Sequence, residues 1–175
     1  MKARFAAAFA ALLLIAAPAS AGCPQPAKPV AASLYSGRWY EIARTPNHMQ
    51  GDCQAATSDF SGWSGSAFSL TQTCRQGAPN GPAQITKVSG SIVPASSNAK
   101  MRLAMMGGLL SQEYWIVDHA DDNAWAIMAT PGGHYVWLLS RQPVLNPALR
   151  AGIVAHLQTL GFDVSHLTYE QQPPR

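Results

Sequence analysis

Three cysteines (Cys23, Cys53 and Cys74) and five histidines (His48, His119, His134, His156 and His166) are the side chains of this 175-residue chain best suited to covalent or metal chemistry. Metal binding shows in a sequence as closely spaced pairs of such ligands. These histidines are scattered and show no such spacing. His156 has no acidic residue within one turn of its own helical segment. Gly62 to Ser66, "GWSGS", sets a serine among glycines, yet it is not the G-x-S-x-G pattern of a nucleophile elbow. No metal, no cofactor and no catalytic centre is predicted, so the chain is expected not to be an enzyme.

The cysteines point to a compartment instead. Lys2 and Arg4 precede an apolar run from Phe5 to Ala17, and Pro18 and small residues follow. That is the order of a secretory signal over residues 1–21. The run is too short to span a bilayer, which takes roughly 20 apolar residues. Cleavage after Ala21 competes with cleavage after Gly22, which would leave Cys23 first. "SAGC" (Ser20 to Cys23) resembles a bacterial lipobox, with Ser20 where leucine is usual, and such a cysteine is lipidated. Cysteine arithmetic agrees: in an oxidising compartment Cys53 and Cys74 can pair, which leaves Cys23 for an acyl group. The alternative is a plain secretory signal with an incidental Cys23. The expected location is the bacterial envelope, either as an outer-membrane lipoprotein facing the periplasm or soluble in the periplasm.

The chain carries 12 basic and 9 acidic residues, and Lys2 and Arg4 belong to the leader, so the remainder is close to neutral. With no basic stripe, nucleic acid is not an expected partner. Pro24 to Ala32 is rich in proline and alanine, and residues 22–33 read as a linker between anchor and domain.

The elements that must position these residues follow from turn chemistry. Short β-like runs recur at Trp39–Arg44, Ala55–Ser61, Ala67–Cys74, Ile85–Val93, Met101–Met106, Tyr114–Asp118, Trp125–Thr130 and Tyr135–Ser140. Glycine-, proline- and asparagine-rich breakers separate them. Evenly spaced strands suggest an up-and-down barrel or a sandwich. One helix follows: Asn146 is a good N-cap, Pro147 suits the first position, and Gly161 is a natural stop. Leu149, Ile153, Leu157 and Leu160 give it one apolar stripe. Leu167–Tyr169 could form a last short strand. A barrel with a helix on its side accommodates this order.

Gly37-Arg38-Trp39, "YWIVD" (Tyr114 to Asp118) and "VWLLSRQP" (Val136 to Pro143) resemble, in order, the three motifs of the lipocalin family. "GFDVSHLTYEQQP" (Gly161 to Pro173) is similar to the ending of bacterial outer-membrane lipocalins, relatives of apolipoprotein D. The resemblance spans residues 34–173 and implies an all-β fold: an eight-stranded antiparallel up-and-down barrel with a C-terminal α-helix outside and a short final strand. It implies that Trp39 lies across the closed end with Arg141 stacked on it, entered through Gly37. With Trp39 and Arg141 as inward markers and side chains alternating, the expected cavity lining is Ala56, Ser58, Phe60, Met101, Leu103, Met105, Tyr114, Ile116, Ala126, Met128, Tyr135, Trp137 and Leu139. The same alternation points Glu41 inward, where a carboxylate needs a partner or water.

An eight-stranded barrel can hold one small ligand, and unbranched, adaptable Met suits an imprecise acyl-chain site. The expected ligand is a fatty acid or lysophospholipid, stored or transported in the envelope, with membrane contact through the N-terminal anchor; a homodimer is left open. Gly107-Gly108-Leu109-Leu110 reads as a lid, a membrane-touching lip or a plain apolar loop. Two alternatives have different signatures. A scaffold or stress role predicts no saturable lipid binding. A catalytic cavity cysteine, which some lipocalins use, requires Cys53 or Cys74 to be free. Their placement about a Trp63-Ser64 turn supports a Cys53–Cys74 disulfide, although that register sends Phe60 and Phe68 opposite ways unless a β-bulge intervenes.

Overall fold

The computed structural model describes residues 22–173; the secretory signal expected over residues 1–21 lies outside them. Nine strands form, in chain order, β1 (Gly37–Arg44), β2 (Cys53–Ser64), β3 (Ala67–Gln76), β4 (Ala83–Ile92), β5 (Lys100–Met105), β6 (Leu110–His119), β7 (Trp125–Ala129), β8 (Val136–Ser140) and β9 (Thr168–Tyr169). Helix α1 (Pro147–Thr159) lies between β8 and β9. The sheet order is β2-β3-β4-β5-β6-β7-β8-β1-β9, and β1 also pairs with β2, so the first eight strands close into an antiparallel barrel. Closure leaves no open edge along the paired strands. β9 sits beside the upper part of β1, where Ala43 faces Tyr169 and Arg44 faces Thr168.

Alternation along the strands builds two apolar layers. Inward residues such as Trp39, Phe60, Phe68, Met101, Leu103, Ile116, Ala126 and Leu139 share one buried cluster inside the barrel. Outward residues such as Ile42, Val117, Ile127 and Leu138 form a second cluster with Ile153 and Leu157 of α1. The helix begins as its residues dictate: the Asn146 side chain accepts from the amides of Ala148 and Leu149, and Pro147 takes the first turn. Of the stripe read from sequence, Ile153 and Leu157 are buried, whereas Leu149 is exposed because it lies in the first turn, before the helix meets the barrel.

The β2–β3 hairpin corrects the expected turn. β2 runs on through Trp63-Ser64, and Ser64 pairs with Ala67, which puts the turn at Gly65-Ser66. Register shifts lie between Ser61 and Ser64 and between Cys53 and Ala55, so Phe60 faces Leu70, and Phe60 and Phe68 both point inward. Cys53 and Cys74 are disulfide-bonded with Cα atoms 5.4 Å apart, although their direct partners across the ladder are Gln76 and Ala56.

Residues 23–31 do not behave as a free linker. They run down the outside of the barrel, with Cys23 N donating to Pro131 O (3.2 Å), Ala27 N to Val117 O (2.9 Å) and Val30 N to Ser97 O (2.9 Å). Lys28 reaches Asp121 and Asp118 from the same segment. No helix among the described residues is long and apolar enough to cross a membrane.

Candidate functional site

The two ends of the barrel differ. At the closed end a 3-10 turn, Ala32–Tyr35, precedes β1 and is drawn under the barrel. Trp39 is 1 % exposed, and its Nε1 donates to Leu34 O at 2.8 Å. Arg141 lies over the Trp39 ring, Cζ 3.8 Å from its centroid. Its guanidinium also donates to the carbonyls of Ser36 (2.7 Å), Arg38 (2.8 Å) and Leu34 (2.9 Å). Arg141 therefore clamps the plug as well as stacking on it. Gly37 takes φ +62°, a left-handed conformation that lets the chain turn into β1 beneath the guanidinium. Tyr35, Phe60, Trp63 and Phe68 pack their rings 5.1–6.0 Å apart around this floor. Gly90 is part of the same packing: a Cβ there would fall 2.4 Å from Phe68.

Above the floor lies a cavity of about 150 Å³. Ten of the residues expected to line it do so: Ala56, Ser58, Phe60, Met101, Leu103, Met105, Tyr114, Met128, Trp137 and Leu139. Ile116 and Ala126 are buried lower in the barrel interior, in the cluster around Trp39, and do not line the cavity. Tyr135 is 37 % exposed; it precedes β8, and its ring sits 6.3 Å from that of Trp137 at the rim. Leu70, Gln72, Gln84, Thr86 and Val88 line the wall from β3 and β4, and Met49 and Gln50 arrive from the β1–β2 loop. The β3 members were within reach of sequence reading, because Phe68, Leu70 and Gln72 are two apart. The loop members had no periodicity to reveal them.

Glu41 does face the cavity and is 6 % exposed. Its Oε1 accepts from Arg44 Nη1 at 3.0 Å, and its Oε2 accepts from Gln50 Nε2 at 3.0 Å. Gln50 in turn accepts from Trp137 Nε1 at 3.1 Å, which ties the loop to β8. Arg44 is also buried; it donates to the carbonyls of Gln50 and Cys53 and meets Glu170, whose side chain is fully covered. Burial pushes the Glu41 carboxyl up from 4.5 to about 7, against the pull of Arg44 and Gln50. Glu170 and the neighbouring Gln172, which donates to Glu41 O and Ala56 O, come from the C-terminal tail. Nothing in the local sequence marks that role.

The open rim carries exposed apolar side chains: Met49, Met106, Leu109 (82 % exposed) and Leu110. Cys23 rests beside the β7–β8 loop, close to Gly133, with its thiol raised to about 11 by burial. The histidines stay apart. His156 pairs with Asp118 across elements (2.8 Å) and His119 is held by the carbonyls of Ala120 and Pro29. Among the described residues no cluster of three or more His, Cys, Asp or Glu could hold a metal ion.

A family model described as a lipocalin-like domain matches residues 30–172. The chain belongs to that family. This lipocalin is similar to the outer membrane lipoprotein Blc of Escherichia coli (strain K12), 25% identical over 176 residues, covering 96% of this chain and 95% of the relative. It is also similar to the outer membrane lipoprotein Blc of Vibrio cholerae, 22% identical over 156 residues, covering 86% and 90%. Among solved structures, insecticyanin from the tobacco hornworm Manduca sexta shares the fold, with a TM-score of 0.68 at 18% identity over 84% of this chain and 83% of that one.

Proposed function

We propose that this lipocalin takes a single-chain amphiphile, a fatty acid or a lysophospholipid, into its barrel for storage or transport in the bacterial envelope. The observation that carries the reading is the two-sided cavity. Met101, Leu103, Met128, Trp137 and Leu139 offer apolar surface, while Gln72, Gln84 and Thr86 offer hydrogen bonds on the facing wall. A volume of about 150 Å³ suits one chain rather than two. Burying the chain removes apolar surface from water at roughly 25 cal/mol per Å². The similarity to outer membrane lipoproteins supports the envelope location.

The membrane is the second partner in this reading, through acylation of Cys23. Acylation requires Cys23 to leave its covered seat beside Gly133, so the packed and acylated forms are alternatives. The exposed Leu109 and Leu110 would meet the bilayer surface. Mass spectrometry of the native protein reads both points: it reports a co-purifying amphiphile and the mass of the mature N-terminus. Displacement of a fluorescent fatty acid tests the cavity directly. Saturable binding that weakens at least tenfold in Met105→Glu is expected. An empty barrel with no saturable binding would sink the reading and leave a scaffold role.

A further inference from the structure

Behind the cavity wall two carboxylates share one guanidinium. Glu41 and Glu170 both contact Arg44, and all three side chains are covered. Neither Glu170 oxygen has a hydrogen-bond donor among the described residues; its partner is the Arg44 ion pair. One negative charge is therefore left without a counter-charge in a site that water reaches poorly, and a buried charge demands a partner. The other groups around Glu41 do not supply one. Gln50 and Trp137 are neutral, Cys53 is in the disulfide, Tyr114 across the cavity is a phenol, and His48 and Asp52 of the β1–β2 loop are exposed.

Of the two carboxylates, Glu41 lines the cavity. The rings of Trp137 and Tyr114 stand 5.7 Å apart, edge to face, on the same lining. A carboxylate and aromatic rings on one cavity lining are a combination that holds an ammonium group.

We propose that the surplus charge of the Glu41–Arg44–Glu170 cluster makes this cavity selective for single-chain amphiphiles with an ammonium head over those with a carboxylate head, and that a proton on Glu41 replaces the head when the site is empty. The inference rests on the amphiphile-binding reading and narrows it. Burial already raises the Glu41 carboxyl to about 7, so the proton is available near neutral pH. An entering ammonium displaces that proton and leaves Glu41 ionised; an entering carboxylate faces either the charge or the cost of keeping the proton on. Glu41→Gln removes the surplus and leaves Arg44 paired one-to-one with Glu170, so the variant should fold.

The test uses three probes of equal chain length, dodecylammonium, dodecanoate and dodecanol, in displacement titrations at pH 5.5 and pH 8 on the wild type and on Glu41→Gln. In the wild type at pH 8 dodecylammonium should bind at least tenfold more tightly than dodecanoate. That ratio should narrow at pH 5.5, where Glu41 is protonated, and should fall to within about threefold in Glu41→Gln at both pH values. Equal or tighter binding of dodecanoate by the wild type at pH 8 would overturn the inference, as would an unchanged ratio in the variant. Dodecanol binding without head discrimination would sink the inference alone; failure of all three probes to bind would sink the amphiphile reading with it.

Discussion

The closed and open ends of this barrel solve opposite problems. At the closed end every strong donor described has an acceptor: Trp39 bonds Leu34, Arg141 bonds four nearby carbonyls and stacks on Trp39, and Trp63 bonds Tyr35. At the open end Leu109 and Leu110 stand in water, and Glu41, Arg44 and Glu170 are covered without balancing their charge. One end is built to stay shut. The other keeps unfinished business that a ligand, a proton or a membrane can complete. Stability should therefore concentrate at the floor and binding behaviour at the mouth.

The largest effect should come from breaking the floor. Trp39→Ala removes a fully buried ring and the surface on which Arg141 stacks, so a loss of about 3–5 kcal/mol is expected in urea unfolding. A loss below about 1 kcal/mol would mean the two ends do not differ in this way. Next is the disulfide at the open end: replacing Cys53 and Cys74 with serine should cost about 3 kcal/mol by the loop-closure argument, measured against the oxidised protein.

The charge cluster should act through pH. A carboxyl raised in the folded state binds its proton more tightly folded than unfolded, so its contribution to stability falls as pH rises from 4.5 through about 7. The wild type should be on the order of 2 kcal/mol less stable at pH 8 than at pH 5.5 from this group. Glu41→Gln should flatten that part of the profile, and thermal melts at the two pH values would show it. The smallest effect on folding belongs to the rim. Leu109→Ser with Leu110→Ser should shift stability by less than about 0.5 kcal/mol. The same variant should bind less to phospholipid vesicles, and unchanged vesicle binding would remove the rim from the membrane reading.

Much of the closed end was legible in the sequence. Gly37, Trp39 and Arg141 lie in motifs, and alternation carried Met101, Leu103 and Met105 inward. Each end also held something that was not legible, for a physical reason. At the closed end, bulges moved the hairpin turn to Gly65-Ser66, because glycines with positive φ at positions 62 and 65 let β2 run further than its turn chemistry implied. Gln50 and Glu170 come from segments without periodicity, so their meeting with Glu41 and Arg44 is a property of the closed barrel alone. The inward carboxylate was visible by counting from Trp39; its excess charge was not.

The seam has a consequence for the order of events in a cell. β1 is paired on its two sides by β2, β8 and β9, and the last two are made roughly a hundred residues later. A chain made from its N-terminus can assemble the β2–β3 hairpin early, but the ring cannot shut until β8 has been made and can pair with β1. Contacts this distant in sequence form late and slowly. The polypeptide is thus obliged to wait, unsealed, for Val136 to Ser140 to arrive, and Thr168 to Gln172 then cover the join.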